Sequence, residues 1–311
     1  MLKKFTVLFF LCLCPFVIVG CGSRKPPIVQ QGVEQLGPSG YGFRNPVWSP
    51  DGTKIVVTTQ TVVSSWTSKI YVLEVSNGKA KKIMETDSGS VLAVSWSPDG
   101  EWILLASGKG GDWPEGIWKI RADGKTSPEF LVNGYEASWS PDGKRIAVFT
   151  HSEKSTYQDV KVSIIDLGTK DSEVVFEGKS GKAVGGGIAW SPSGEELIFD
   201  YGQSGVGQLD LYILNIATKE AKRIAEEGEN YNASWEPSGT LIAYVNDPGK
   251  GYDSSLIVAD RNNTCQQKLL TLDDLWGSSW SPDEKHIAFV SWGEVYLLSL
   301  DQFPAYDTVC P

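Results

Sequence analysis

Histidine and methionine are nearly absent from this chain, with two of each in 311 residues. So few imidazoles leave little room for metal centres or nucleophilic triads built on histidine. His151 and His286 also fall on opposite faces of the repeat described below, which bars them from sharing one metal. No G-x-S-x-G elbow, phosphate-binding P-loop, EF-hand loop or four-ligand zinc pattern can be written. No apolar run reaches the roughly 20 residues that a helix needs to span a bilayer; the longest is Phe5 to Val19. Basic residues are outnumbered, 28 against 38 acidic, which disfavours nucleic acid and anionic lipid as partners. No catalytic residue, metal or cofactor is therefore expected.

Tryptophan, by contrast, is abundant, and half of the 12 copies recur in one setting. Trp48, Trp96, Trp139, Trp190, Trp235 and Trp280 each precede a tight, proline-marked turn and then an apolar strand. Their spacings of 48, 43, 51, 45 and 45 residues suit a small antiparallel sheet repeated radially. In Trp48-Ser49-Pro50-Asp51-Gly52 the serine opens a type I turn, proline presets φ at the next position, and glycine closes the corner. Further β-prone runs follow each corner, such as Ile70 to Leu73 and Lys81 to Met84, joined at turn signals such as Asn77-Gly78. Four strands per copy and six copies predict an all-β fold, a six-bladed β-propeller of four-stranded antiparallel blades. One copy of a tryptophan per blade at one position points to packing between blades.

At these residues the chain resembles the TolB-like propellers, whose repeat carries the same W-S-P-D-G corner, over roughly residues 45 to 311. Single copies depart from the pattern at Ser193, Ser238, Glu236 and Glu284. Family members with an extra α/β domain or a following hydrolase domain are matched only in the propeller. The resemblance implies protein–protein interaction in the bacterial envelope.

The N-terminus suits that compartment. Lys3 and Lys4 precede the apolar run, as in a secretory signal, and Ile18-Val19-Gly20-Cys21 has the form of a lipobox with Cys21 as the lipidated residue. Residues 1–20 are thus expected to be a lipoprotein signal peptide, 21–40 a tether with a closing strand near 33–36, and 41–311 the propeller. The protein is expected to be lipid-anchored in the cell envelope, on the periplasmic side or the cell surface, touching the membrane only through that lipid. Removing Lys3 and Lys4 leaves 26 basic against 38 acidic residues, a charge of −12. Cys265 and Cys310 remain as an even pair in a compartment that permits a disulfide.

The sixth blade lacks an outer strand in its own run of sequence. Val33 to Leu36 and Tyr306 to Cys310 both fit the slot by spacing. The N-terminal segment is favoured, because joining the two ends of the chain resists opening of the ring.

Within a blade, loops between the second and third strands and crossovers to the next blade share one face, here the crossover face; the W-S-P corners lie on the other, the corner face. Aromatic residues gather in crossover-face segments: Tyr41, Phe43, Trp66, Trp113, Tyr135, Tyr157, Tyr201, Tyr231, Tyr252, Trp276 and Trp292. Of these, Tyr41, Trp66, Trp113, Tyr252, Trp276 and Trp292 are the candidate partner-binding residues, since tryptophan and tyrosine dominate hot spots on binding surfaces. Acidic residues including Glu227, Glu229, Asp247, Asp273 and Asp274 flank them, which suits a cationic partner. A non-catalytic module binding an envelope protein or peptide is the expected function. A glycan-binding propeller, with the same rings stacked on sugars, is the alternative, and a lyase or hydrolase with an unrecognised site is the third reading.

Overall fold

The structure, a computed structural model, describes residues 28, 30–62, 66–87, 89–108, 113–150, 160–179, 183–203, 208–225, 227–249 and 253–304. Six four-stranded antiparallel sheets form the blades. The first strand of the chain, β1 (Val33–Leu36), belongs to the last blade. Blade 1 is β2 (Phe43–Trp48), β3 (Lys54–Val62), β4 (Trp66–Glu74) and β5 (Ala80–Glu85). Blade 2 is β6 (Val91–Trp96), β7 (Trp102–Ser107), β8 (Gly116–Arg121) and β9 (Glu129–Val132). Blade 3 is β10 (Glu136–Trp139), β11 (Arg145–Thr150), β12 (Lys161–Asp166) and β13 (Ser172–Glu177). Blade 4 is β14 (Ala183–Trp190), β15 (Glu196–Gln203), β16 (Gln208–Asn215) and β17 (Ala221–Ala225). Blade 5 is β18 (Glu229–Trp235), β19 (Leu241–Asp247), β20 (Ser254–Asp260) and β21 (Gln266–Leu272). Blade 6 is β22 (Trp276–Trp280), β23 (His286–Ser291) and β24 (Glu294–Ser299), completed outside by β1. Among the described residues no helix is long and apolar enough to cross a membrane.

The corners explain the order of residues in the repeat. Ser49 donates its hydroxyl to Asp51 Oδ1 at 2.6 Å and accepts the Lys54 N–H at 2.9 Å, while Asp51 Oδ1 accepts the Thr53 N–H at 3.0 Å. Ser140 and Asp142 repeat the arrangement, as do Ser281 and Asp283. Blade 5 exchanges the roles: Glu236 stands where serine is usual and its carboxylate accepts from Ser238, Thr240 and the Leu241 N–H. In blade 6, Glu284 holds φ +60° where the other corners have glycine, a conformation that costs a residue with a Cβ about 1–2 kcal/mol.

The six recurrent tryptophans are buried between blades. Trp190 of blade 4 packs with Phe149, Val160 and Val162 on the blade 3 side, and Trp96 packs with Val56, Ile70 and Val72 of blade 1. Two indoles also bond across the gap, Trp96 Nε1 to the Val47 carbonyl and Trp190 Nε1 to the Ser138 carbonyl, both at 3.0 Å.

The ring closes through β1. Val33 pairs with Leu298 and Leu36 with Val295, and Leu36 is buried with Leu73 and Val295. The N-terminal segment therefore fills the outer slot, and ordered packing starts ahead of residue 41: Ile28 already lies against the core of blades 5 and 6. Direction matters here. The Gly32 carbonyl accepts from the Ser299 N–H, and Leu300 N–H reaches Lys285 beside the sixth corner. Val33 is thus the corner-face end of β1 and Leu36 the crossover-face end.

Candidate functional site

The crossover face at the seam of blades 6 and 1 carries three half-exposed aromatic rings: Trp292 at 49 %, with Trp276 and Tyr41 each at 43 %. Trp292 sits in a two-residue hairpin between β23 and β24, where Ser291 pairs with Glu294. Trp292 and Gly293 have φ +51° and +74°, the mirror-image geometry that matches strand twist. Glycine is required at the second position, since a Cβ there would come 2.7 Å from Gly42 Cα. Tryptophan at the first position is unusual, because a bulky residue with positive φ is strained.

Two carboxylates in the crossover before β22 hold that strained hairpin. Asp274 Oδ2 accepts the Trp292 backbone N–H at 2.6 Å and Asp273 Oδ1 accepts its indole N–H at 2.9 Å. The other oxygen of Asp274 accepts the Trp276 indole N–H at 2.6 Å. One aspartate thereby fixes both tryptophans, and buried Leu275 anchors the segment that carries it. Trp276 also lies 5.8 Å from the Tyr231 ring, centroid to centroid, and Arg44 Cζ stands 5.9 Å from the Trp276 centroid. Across the seam Tyr41 stacks on Phe43 at 5.2 Å and meets Tyr71 edge-on at 5.4 Å. Phe43 N–H bonds to the Gly293 carbonyl, while Glu294 accepts the Gly40 N–H at 2.7 Å.

The other aromatic residues of this face divide differently from the sequence expectation. Phe43 and Tyr201 are buried within β2 and β15, where they pack as core. Tyr135 stacks on Phe149 at 6.0 Å. Trp113 is half-buried against the core of blades 1 and 2, 4.8 Å from Trp118, and is not brought to the other rings. The Trp66 side chain, Tyr157, Tyr252, His151, Cys21 and Cys310 lie outside the described residues. Cys265 is disulfide-bonded. Among the described residues no group of three or more His, Cys, Asp or Glu is placed to hold a metal ion.

The PD40 family profile, described as a TolB beta propeller domain, matches residues 30–183 and 136–297. The chain belongs to the TolB β-propeller family. The Tol-Pal system protein TolB of Francisella tularensis subsp. tularensis (strain SCHU S4) is 26 % identical over 241 residues, 76 % of this chain and 53 % of the relative. The uncharacterized protein Atu1656 of Agrobacterium fabrum is 27 % identical over 161 residues, 49 % of this chain and 52 % of that protein. The chain thus spans about half the length of the curated relatives it matches. Among solved structures, a putative TolB from Agrobacterium tumefaciens superposes with TM-score 0.60 at 18 % identity, covering 85 % of this chain and 91 % of the other. An oligogalacturonate lyase in complex with manganese reaches 0.55 at 14 % identity, covering 86 % and 93 %; at such identities the likeness is one of fold.

Like the ring it runs through, the channel of this TolB-type propeller is built from the innermost strands, around a space of about 170 Å³. Asn45, Glu136, Gly187, Asn232 and Gly277 line it, each three residues before a recurrent tryptophan. Hydroxyls tie neighbouring blades together there: Ser95 accepts the Trp139 N–H at 3.1 Å and Ser279 the Trp48 N–H at 3.2 Å. Glu136 is the carboxylate of the set. Burial, and secondarily the charge of buried Asp200, push its pKa well above the ordinary 4.5. Asp200 itself accepts the Gly187 N–H at 2.8 Å.

Glu136 and the corner aspartates oppose each other in pH dependence. Asp51, Asp99, Asp142 and Asp283 are held below the ordinary 3.8, first by the serine hydroxyl of each corner. Their contribution is present above that value and is lost as pH falls through the lowered folded pKa. Glu136 binds its proton more tightly in the folded chain, so its cost is absent below 4.5 and grows as pH rises through the raised folded pKa. Glu136→Gln is expected to leave stability unchanged near the acid end and to raise it at pH 8 by about 1–3 kcal/mol, the scale for desolvating a buried polar group. Urea unfolding of both proteins across this range measures the difference.

Proposed function

We propose that this chain is a non-catalytic lipoprotein of the bacterial cell envelope whose propeller binds a protein or peptide on the crossover face. The observation that carries the reading is the pair Trp276 and Trp292, half-exposed yet fixed by one aspartate. Holding an aromatic ring rigid before binding removes ordering cost from association. Accepting strain at Trp292 to present its ring is what a binding surface needs and a folding core does not. Membership of the TolB propeller family, with the Tol-Pal system protein TolB among its relatives, supports an envelope protein as the partner class.

The test is capture from solubilised envelope by the propeller from Gly22 onward. Trp276→Ala or Trp292→Ala is expected to weaken capture by at least ~1–2 kcal/mol with the circular dichroism of the fold intact. Equal capture by wild type and both variants would remove the patch from the function. The anchor is tested separately: Cys21→Ala should lose the lipid mass and leave the membrane fraction, and retention there with wild-type processing would refute lipidation at Cys21.

A further inference from the structure

We infer that the segment received at the Trp276–Trp292 site is basic: a lysine- or arginine-bearing peptide whose cationic side chain lies against these rings. The inference rests on the crossover-face reading above and specifies its chemistry. Its first support is a cation already seated there. The Arg44 guanidinium stands 5.9 Å from the Trp276 ring centroid with its side chain exposed, which is the distance at which a ring quadrupole attracts a cation. Trp292, the more exposed of the two rings, is the second aromatic surface of the site.

The second support is the charge around the rings. Asp273 and Asp274 each bond to an indole N–H, which fixes the carboxylates without neutralising their charge. Glu229, Asp247 and Asp274 also act on Tyr231, whose ring lies against Trp276. Its pKa is pushed up to about 12, first by burial and then by those three carboxylates. A negative potential is therefore directed at the aromatic floor of the site, and Arg44 offsets one charge of it. A cationic side chain gains Coulomb attraction from the acids as well as contact with the rings, whereas a neutral sugar carries no net charge for the acids to attract.

Fluorescence anisotropy of labelled hexalysine with the soluble propeller tests the chemistry directly. Trp292→Ala should weaken binding at least tenfold, and the double variant Glu229→Gln/Asp247→Asn, which leaves both indole bonds in place, should do the same. Arg44→Gln should strengthen binding several-fold by removing the resident competitor. Glu101→Gln/Glu129→Gln, two acids of blade 2, should leave it within twofold. Equal weakening by all acid substitutions, with none by Trp292→Ala, would mean attraction to the net charge alone and would overturn the inference. A labelled hexaglutamate or neutral oligosaccharide that binds more tightly than hexalysine, in a Trp292-dependent way, would also overturn it. Envelope-protein capture that depends on Trp292 while hexalysine binding does not would overturn the cationic chemistry and leave the docking surface standing.

Discussion

Trp190→Ala is expected to destabilise the propeller by about 3–5 kcal/mol, the range for removing a large buried aromatic side chain. The ring fills the gap between blades 3 and 4 against Phe149, Val160 and Val162, and Phe149 and Val162 are held in the β11 and β12 ladders, so the cavity can close only in part. Its indole bond to the Ser138 carbonyl would be lost, and Arg145, whose guanidinium carbon stands 4.9 Å from the ring centroid, would lose its aromatic partner. Trp292→Ala removes an equally large side chain from an exposed, strained turn and should shift stability by no more than about 0.5 kcal/mol. Urea unfolding followed by far-ultraviolet circular dichroism separates the two. Equal destabilisation would mean that Trp292 is part of the core and that the crossover-face site is not a free surface.

A chain beginning at Gly37 is expected to lose stability by roughly 3 kcal/mol or more, since burial of Leu36 alone falls in the range of 2–5 kcal/mol for a large-to-alanine change. Without β1 the sixth blade would have three strands, the packing of Leu36 on Leu73 and Val295 would vanish, and β24 would become an unpaired edge. Such an edge is a template for pairing with another chain. The truncated protein should therefore unfold earlier and self-associate on concentration, which light scattering and thermal unfolding would show. Unchanged stability and a monomeric state would mean that the pairing of β1 with β24 contributes nothing to closure.

The corners and recurrent tryptophans could be read from the sequence because each rests on local chemistry repeated in register. A turn that needs Ser, Pro, Asp and Gly in order declares itself, and six copies leave no doubt about period. The outer slot of blade 6 was harder, because two segments fitted by spacing and strand pairing decided between them. Phe43 and Tyr201 look like loop aromatics in the sequence, but the strands extend farther toward the crossover face than the apolar runs suggest. Asp273 and Asp274 declare only their charge in the sequence; their hydrogen bonds to Trp292 depend on the meeting of a crossover with a hairpin 18 and 19 residues away. Glu136 is one of 38 acidic residues and has no local motif around it. Its signal was there: alignment of the copies places it with Asn45, Gly187, Asn232 and Gly277, the position that faces the channel.

The direction of β1 has a consequence for approach. The chain enters the outer slot of blade 6 from the corner face, so the lipid proposed at Cys21 would draw that face toward the bilayer and turn Trp276 and Trp292 toward the opposite side. Six residues lie between Cys21 and Ile28, and the seven steps from one to the other reach at most about 25 Å when fully extended. With that anchor the ring would act as a spacer on a short leash. A soluble partner, or one projecting from a facing surface, would meet the aromatic end directly. A partner lying flat in the same membrane would have to climb around the outer strands to reach it.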